Sequence, residues 1–399
     1  MMHVMIRYLI AAAALFANPE AAEDEVPPPP PPPPATVVVA FDSEEITPLI
    51  AEGLSNKEAE RAVQANDPVR IASISKLVMA IAALRLVDEE KIDLKADVSD
   101  YLGWQLRSPY HPDVPITLAH LMMHRAGLSD EAGYIIPLGE SLEARLADPL
   151  AWRETGAPGE ASFEYANLGS PIVATILEAA SGERYDRLVE RLVFEPLGVK
   201  ACLNWTLCDA EMRARAVTLY RHTGEVARDD PADMECSIPV APLRACNLDR
   251  YTPGTNASVF SPQGGVRIGM IDLAKIGQAL RNRDDRLISQ AAISAINASL
   301  LGSGNEGQEF FCYYGLHLQI IDVPKSGCED ALFGDGVLRI GHSGEAYGLQ
   351  SGLWIGEGSD PGFAYFLTEA EPPEGGEDTG GFTQREKALL ARAKALLPR

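Results

Sequence analysis

Apolar residues are grouped into several short runs and one long run, and these runs predict where strands and helices lie. Residues 37–41 form a short, β-branched run typical of a strand, whereas the apolar stretch 77–87 is long enough to predict a buried helix. From about residue 91 to residue 256 the pattern is mostly helical or irregular. Strand-like runs then return at about 310–321, 337–340, 347–355 and 363–367, and a final helix is predicted over 383–397.

Strand runs near both ends of the chain predict one antiparallel sheet built from the two termini. A mostly helical region, approximately residues 91–256, would be inserted between the two halves of that sheet, which gives an α/β fold of the α+β type with helices flanking the sheet. With 399 residues, 46% of them hydrophobic, the chain can bury one large core. An active site would lie in the cleft between the sheet and the inserted region.

A serine stands three positions before a lysine where the long apolar helix begins, in Ser73-Ile74-Ser75-Lys76. One helical turn brings the Lys76 amine beside the Ser73 hydroxyl, and the helix N-terminus offers backbone N–H groups to a developing oxyanion. This arrangement is suited to activating a serine nucleophile. Roughly one such spacing is expected by chance in a chain of this length, and a serine that only caps the helix is the alternative.

A second candidate motif is Tyr165-Ala166-Asn167, where a loop rich in Gly and Pro leads into an amphipathic helix that begins near Leu168. A tyrosine here can take the serine proton, and an asparagine can orient a substrate amide or the lysine. The alternative is a tyrosine packed at the corner between loop and helix, with Asn167 as the N-cap.

A third candidate motif, His342-Ser343-Gly344, lies between two strand-like runs and is predicted to sit on or beside an edge strand that lines a cleft. A similar tripeptide at residues 222–224 has polar flanks, so we interpret it as a solvated turn.

In this order the three motifs resemble those of the serine β-lactamase-related hydrolases with the penicillin-recognising fold. That group includes class C β-lactamases, DD-carboxypeptidases, D-aminopeptidases and short-chain esterases. Residues 116–128 are similar to the family segment ITLxHLLTHTSGL, and residues 260–267 to its sPxGGl segment. The resemblance runs from about Phe41 to Phe366. It implies a β-lactamase/transpeptidase-like fold, with residues 36–399 as the catalytic domain.

The motifs predict an acyl-enzyme mechanism without a cofactor or metal, and the resemblance implies which backbone groups form its oxyanion hole. Ser73 would attack a carbonyl, and Lys76 and Tyr165 would share the proton shuttle, which requires a partly deprotonated Lys76 or a partly ionised Tyr165. The backbone N–H groups of Ser73 and Glu345 would form the oxyanion hole. The residues that would orient substrate and shuttle belong to the second and third motifs: Asn167, His342, Ser343 and Gly344.

The substrate class is indicated by charge around the third motif. Class C β-lactamases carry a lysine where this chain has His342, and that lysine helps to hold the carboxylate of β-lactams and peptidoglycan stem peptides. Histidine is largely neutral near pH 7 and would hold it less well. Glu345 would disfavour anionic substrates further if its side chain faces the cleft. Arg267 could compensate, but we interpret it as a surface arginine without a role.

We therefore expect an esterase or amidase acting on small acyl substrates. The first alternative is a DD-carboxypeptidase or D-aminopeptidase, and the next is a β-lactamase. An alternative of a different class is a catalytically weak penicillin-binding-like sensor or binding module. The expected partner is a small ester, amide or peptide, and the net charge of −23 argues against nucleic-acid binding.

The N-terminal residues indicate export. Residues 1–22 contain Arg7, a short apolar segment and small residues before an acidic run, which is typical of a signal peptide. The apolar segment is short for a membrane span, so no stable membrane insertion is expected after the signal is removed. Residues 23–35 contain a proline tract and are predicted to be an extended linker. The protein would then be periplasmic or secreted.

Six cysteines fall into three pairs that are close in sequence, namely Cys202 with Cys208, Cys236 with Cys246 and Cys312 with Cys328. An even number in an exported chain favours disulfide bonds, and local pairing is our hypothesis among the roughly 15 possible connectivities. A metal site is disfavoured because the spacing lacks Cys-x-x-Cys pairs.

Overall fold

A computed structural model describes residues 33–228, 236–301, 305, 310–323, 327–371 and 381–397. The predicted signal peptide and most of the predicted linker lie outside the described residues. Pro34 bridges to Leu54 and Ala35 is buried, so the last linker residues lie against the folded unit.

Strands and helices follow one another largely as the hydrophobic pattern predicts. In the part of the chain that is described, the strands are β1 (Thr36–Phe41), β2 (Ile46–Glu52), β3 (Leu54–Asn56), β4 (Arg61–Ala62), β5 (Val69–Arg70), β6 (Ala201–Leu203), β7 (Leu219–Tyr220), β8 (Val226–Arg228), β9 (Val266–Ile268), β10 (Tyr314–Gly315), β11 (Leu318–Ile321), β12 (Arg339–Ala346), β13 (Leu349–Gly356) and β14 (Gly362–Leu367). The α-helices are α1 (Ile74–Asp88), α2 (Ser99–Leu102), α3 (Leu118–Met122), α4 (Leu142–Leu146), α5 (Gly169–Ser181), α6 (Tyr185–Val189), α7 (Ala210–Arg215), α8 (Met270–Arg281), α9 (Gln290–Leu301) and α10 (Gln384–Ala395).

The central sheet joins the two ends of the chain. Its order is β10-β11-β12-β13-β14-β1-β2, and all neighbouring strands are antiparallel. Strand β1 lies between β14 and β2, with Val37 opposite Phe366 and Val39 opposite Ala364. The predicted antiparallel sheet made from both termini is confirmed.

Helices cover both faces of this sheet. Helix α8 packs across β1, β13 and β14, and α1 packs against β12. On the other face, Leu389, Leu390 and Ala393 of α10 share a buried apolar cluster with Trp354 and Tyr365 of the sheet. Burial of these apolar side chains on both sides is what holds the layers together.

Helix α1 occupies the centre of the fold, and nearly all of its residues are buried. It contacts β12 of the sheet on one side and α5 of the inserted region on another. A helix that is apolar on all sides must lie in such a core, which is why its sequence shows a continuous apolar run and no stripe. The first turn of α1 therefore lies where sheet and insertion meet.

The inserted region contains more strand than predicted. Strand β6 joins β5 and β9 in a three-stranded sheet, and β7 pairs with β8. These strands have two or three residues, which is too short for a two-residue hydrophobic period to be recognised. The tripeptide at 222–224 lies in the exposed turn between β7 and β8, as predicted.

The three predicted disulfide pairings are present, Cys202–Cys208, Cys236–Cys246 and Cys312–Cys328. Among the described helices, none is both long enough and apolar enough to cross a membrane.

Candidate active site

Ser73 stands at the N-terminal end of α1, but its hydroxyl does not cap the helix. The Ser73 Oγ lies 3.0 Å from Nζ of Lys76 and is also hydrogen-bonded to the side chain of Tyr165. The alternative of a simple helix-capping serine therefore does not fit the structure. One turn of helix brings the Ser73 and Lys76 groups together, as the spacing predicts.

The Lys76 amine is fully buried and is surrounded by oxygen atoms. Besides Ser73, it lies 2.8 Å from Oδ1 of Asn167 and 3.2 Å from the backbone oxygen of Gln263. Burial lowers the pKa of Lys76 to about 7, with the negative charge of Asp130 opposing that shift. A substantial fraction of this amine is neutral at ordinary pH, so it can accept a proton.

Tyr165 is half-buried and stacks on two other rings. Its ring centroid lies 4.4 Å from that of His124 and 4.8 Å from that of Phe311, and Nζ of Lys76 lies 4.7 Å from the Tyr165 centroid. Burial raises the pKa of Tyr165 above its ordinary value, with the hydrogen bond to Ser73 opposing the shift. Tyr165 is thus a neutral phenol at ordinary pH, and of the two protonation options, a deprotonated Lys76 is the one that this environment favours.

Asn167 connects Lys76 to a carboxylate that the motifs did not reveal. While its Oδ1 faces Lys76, its Nδ2 donates to Oδ2 of Asp130 at 3.0 Å. Asp130 also accepts from the backbone N–H groups of Asn167 and Leu168, at 2.9 and 2.8 Å. Asp130 thereby satisfies donors that precede α5, and the N-cap of that helix is Leu168, not Asn167.

His342 lies on β12, an internal strand of the sheet, although the stretch from His342 onward extends past the pairing with β11. The prediction of an edge strand therefore holds only for the part of β12 from His342 onward, which pairs with β13 alone. The His342 side chain is 1% exposed and points to Tyr314, with Nε2 3.0 Å from the Tyr314 hydroxyl. Its ring centroid is 6.4 Å from that of Tyr165. His342 is thus buried beside Tyr314 and Tyr165, and like Lys76 and Tyr165 it is not among the residues that line the cleft.

The hydrogen bonds around His342 fix its tautomer. Its Nδ1 lies 2.5 Å from the Ser343 carbonyl oxygen and must carry the proton, so Nε2 accepts from Tyr314. The Tyr314 oxygen then accepts from Nδ1 of His317, at 3.3 Å. Burial, with repulsion from Lys76 as the second cause, lowers the pKa of His342 to about 3. Burial also lowers the pKa of His317 and of His124, so this cluster carries no charge that would compete with Lys76.

Gly344 lets β12 run directly against the segment that precedes Ser73. A Cβ atom at Gly344 would lie 2.4 Å from the Ile71 carbonyl oxygen, closer than any side chain allows. Ser351 on the neighbouring strand donates to the same Ile71 oxygen at 3.2 Å. As a result Glu345, the next residue of β12, lines the same cleft as Ser73.

The cleft beside Ser73 carries charges of both signs. Glu345 and Arg70 line it together with Tyr134 and Tyr347, and the Arg70 guanidinium lies 5.4 Å from the centroid of the Tyr347 ring. Ser343 is not among the lining residues. The cation that lines the cleft is therefore Arg70, three residues before Ser73, which none of the three motifs includes.

The interpretation of Arg267 as a surface residue is wrong. It is 1% exposed, its guanidinium lies 5.1 Å from the centroid of the Trp205 ring, and its Nη1 donates to the Gly265 carbonyl oxygen. An arginine in the middle strand of a small three-stranded sheet is buried by its neighbours on both sides.

Sequence reasoning also missed Asp130 and Gln263. Asp130 follows Gly127-Leu128-Ser129, which has the composition of an ordinary turn, and only the contact with Asn167 gives it a place in the site. Gln263 contributes a backbone oxygen, which no side-chain motif can reveal.

One group of potential metal ligands occurs in the described ranges, Cys312, Cys328 and Asp330. Its two cysteines are joined in a disulfide and offer no thiolate, so the group does not fit a metal site.

Comparison with known proteins shows the family of the chain. The Beta-lactamase family matches residues 34–383. Penicillin-binding protein 4 of Amycolatopsis lactamdurans is 23% identical over 349 residues, which cover 86% of this chain and 81% of that protein. Esterase EstB of Burkholderia gladioli is 29% identical over 171 residues, covering 38% of this chain and 42% of the esterase. The D-alanyl-D-alanine-carboxypeptidase/endopeptidase AmpH of Escherichia coli K12 is 31% identical over 142 residues, covering 34% of this chain and 37% of AmpH. The chain thus aligns with less than half the length of the last two relatives.

Solved structures agree in fold. The D-amino acid amidase from Ochrobactrum anthropi SV3 superposes with a TM-score of 0.65 at 18% identity, covering 91% of this chain and 94% of the amidase. The D-stereospecific amidohydrolase from Streptomyces sp. gives 0.62 at 20% identity, covering 90% and 94%. At such identities the likeness shows the fold. Together with a family match over most of its length, it establishes that the chain belongs to the Beta-lactamase family of serine hydrolases, with esterase, carboxypeptidase and amidase relatives.

Proposed function

We propose that this protein is an exported serine hydrolase that forms an acyl-enzyme on Ser73 and acts on esters or amides of small acyl groups. The observation that carries the proposal is the buried amine of Lys76, 3.0 Å from the Ser73 hydroxyl, with its pKa lowered to about 7. A neutral amine in contact with a serine hydroxyl can take its proton and so activate the serine as a nucleophile. The Ser73 hydroxyl is available for this because it does not cap the helix.

The reaction would proceed in two halves. Lys76 takes the proton of Ser73 as its oxygen attacks the carbonyl carbon, and the oxyanion is held by the backbone N–H groups of Ser73 and Glu345. Tyr165, a neutral phenol hydrogen-bonded to Ser73, gives its proton to the leaving group and regains one from Lys76. Water then attacks the acyl-enzyme with the same groups acting in reverse, which frees the acid and restores Ser73.

Esters and uncharged amides fit this cleft better than substrates that carry a carboxylate. Glu345 lines the cleft. The resemblance described from the sequence implies that His342 stands where class C β-lactamases carry a lysine. The His342 ring is neutral, because its pKa is lowered to about 3, and it supplies no cation. Arg70 lines the cleft too, so a substrate carboxylate is not repelled from every side.

A D-aminoacyl amide is the second candidate substrate. The carboxylate of Glu345 in the cleft could attract an α-ammonium group of such a substrate. Solved structures of the same fold include a D-amino acid amidase and a D-stereospecific amidohydrolase.

Export to the periplasm or beyond is supported by the paired cysteines. All three pairs form disulfides, which persist in oxidising compartments. We propose residues 1–22 as a signal peptide, residues 23–35 as a linker and residues 36–399 as the catalytic domain.

The test is hydrolysis by the purified protein of three chromogenic substrates in parallel, a p-nitrophenyl ester of a short acid, a D-aminoacyl p-nitroanilide and a chromogenic cephalosporin. Ser73→Ala should lower turnover by at least about 1,000-fold, since it removes the nucleophile. Ser141→Ala is the matched control, because Ser141 is an exposed serine that only caps α4.

Turnover that survives Ser73→Ala would overturn the acyl-enzyme on Ser73. If the intact protein turned over none of the three substrates and yet bound them, the binding module would replace the hydrolase. The ratio of ester to anilide turnover decides between the two candidate substrate classes.

A further inference from the structure

Asp130 accepts three hydrogen bonds from one short segment. Its Oδ2 accepts from the backbone N–H of Asn167 at 2.9 Å and from Nδ2 of the same residue at 3.0 Å, and its Oδ1 accepts from the N–H of Leu168 at 2.8 Å. Asp130 is not among the residues that line the cleft. Its hydrogen-bonded link to the site is therefore Asn167.

This carboxylate determines which way the Asn167 amide points. An ionised carboxylate only accepts hydrogen bonds, so the amide group that faces Asp130 must be the NH₂. The amide oxygen then faces the other way, towards Nζ of Lys76 at 2.8 Å. The orientation of Asn167 follows from the chemistry of its neighbours on both sides.

The orientation of Asn167 in turn directs the Lys76 amine. Two of its three neighbours, Oδ1 of Asn167 and the carbonyl oxygen of Gln263, only accept hydrogen bonds. A neutral amine has two N–H groups and one lone pair, so both N–H groups are used by these acceptors. The lone pair remains for the third neighbour, the hydroxyl of Ser73.

We propose that Asp130 is a positioning residue for the nucleophile: by holding the Asn167 amide in one orientation, it directs the lone pair of Lys76 at the Ser73 hydroxyl. If the amide were reversed, its NH₂ would occupy the lone pair, and Ser73 would face an N–H that cannot take its proton. The inference rests on the proposed function, because it concerns the proton that Ser73 loses.

Asp130 acts on the same amine through its charge. The other titratable groups facing Lys76 are Tyr165, from the loop before α5, and His342, from β12, with His124 and His317 behind them. Arg70 and Glu345 line the adjacent cleft. Burial keeps the histidines and the tyrosine neutral, and Asp130 is the charge that opposes the lowering of the Lys76 pKa. Removing it should shift the pKa of Lys76 further down.

The decisive variant is Asp130→Asn, which keeps the shape and removes the charge. The amide introduced at this position can present an NH₂ to Asn167, which favours the reversed orientation of the Asn167 amide. We expect kcat to fall about 100-fold or more, since the reversed amide would occupy the lone pair that takes the Ser73 proton. The acid limb of the kcat/KM profile should also move to lower pH, because the base is the neutral amine. A role in folding alone would not move that limb.

Two further variants keep the test informative. Asp148→Asn is the matched control, because Asp148 is a carboxylate that caps a short 3₁₀ turn without contact to the site, and it should change neither kcat nor the limb. Asp130→Glu keeps the charge but displaces the carboxylate, so kcat should fall while the limb stays in place. If Asp130→Asn does not fold, this variant carries the test of the geometry.

A measurement without substrate separates this inference from the proposed function. The ¹³C NMR titration of the Lys76 side chain should give a lower midpoint in Asp130→Asn than in the native protein. An unchanged midpoint together with unchanged kcat would overturn the role of Asp130. If the native protein turned over no substrate but the midpoint moved, the proposed function would fail and the coupling of Asp130 to Lys76 would stand.

Discussion

At the scale of single residues, the protonation state of Lys76 would set the pH range of the proposed reaction. The amine is buried among oxygen atoms, and burial lowers its pKa to about 7. The pKa values of His342, His317 and His124 are also lowered, by burial, and these rings stay neutral through this range. Of these four neighbouring bases, Lys76 is therefore the one that titrates near neutrality.

We predict that kcat/KM rises with pH along a single-proton acid limb with its midpoint near 7. The sign follows because Lys76 takes a proton and is active when neutral, so activity is lost as the pH falls through its pKa. The measurement is the profile for the p-nitrophenyl ester from about pH 5 to pH 9, corrected for spontaneous hydrolysis.

Lys76→Arg serves as the control for this profile, because arginine stays charged at these pH values. Its residual activity should show no such limb. A limb that persisted unchanged in Lys76→Arg would assign the titration to another group.

The proximity of the four residues in the first two motifs was predictable from helical spacing and from their position in one loop. The contacts of the residues around them, Asp130 and His342, were not. Ser73 and Lys76 are one turn apart, and Tyr165 and Asn167 belong to one loop, so few arrangements are possible. Asp130 could not be identified because its role depends on a contact across 37 positions of sequence. The direction of His342 could not be identified either, since a strand residue can face either side of a sheet.

At the scale of elements, the site depends on how closely β12 approaches the start of α1. The Ser351 Oγ on β13 lies 3.2 Å from the Ile71 carbonyl oxygen and 3.3 Å from that of Gly344, and so joins the two segments. The long strands were predictable from their apolar runs. The short strands β5, β6 and β9 were not, although β5 leads directly into Ser73.

We predict that Gly344→Ala lowers kcat/KM at least about 10-fold and destabilises the fold by about 1–3 kcal/mol. The added methyl group would lie 2.4 Å from the Ile71 carbonyl oxygen, so β12 must move away from the segment that carries Ser73. Circular dichroism melting and ester hydrolysis would measure the two effects.

Gly169→Ala is the control, because a Cβ there meets its neighbours at 3.7 Å, an ordinary contact distance. It should leave both quantities near their native values. Native activity in Gly344→Ala would show that the spacing between β12 and α1 is not required.

At the scale of the whole molecule, the net charge of the chain is strongly negative. The chain has 57 acidic and 34 basic side chains, and its net charge is −23. Such a field raises the local concentration of cations and lowers that of anions. The selectivity expected from Glu345 in the cleft is thus reinforced by distant residues.

We compare two p-nitrophenyl esters matched in size, one with a cationic and one with an anionic acyl chain. We predict that the cationic ester has the higher kcat/KM at low ionic strength. The ratio should decrease as salt is added, because the Debye length falls to roughly 10 Å at 0.1 M. Stopped-flow rates for both esters between about 10 mM and 500 mM salt give the ratio. A neutral ester of similar size is the control and should respond little. A ratio that is independent of salt would assign the selectivity to contacts within the cleft alone.

The position of β1 between β14 and β2 has a consequence for how the protein is made. Val37 finds its partner Phe366 only after almost the whole chain has been synthesised. Until then β13 and β14 cannot be completed against β1, and β12 has no stable sheet from which to approach Ser73. Pairing over so long a separation in sequence slows folding. A ribosome-bound chain that has not yet released Leu367 therefore contains Ser73 and Lys76 but lacks the completed sheet that brings β12 to them.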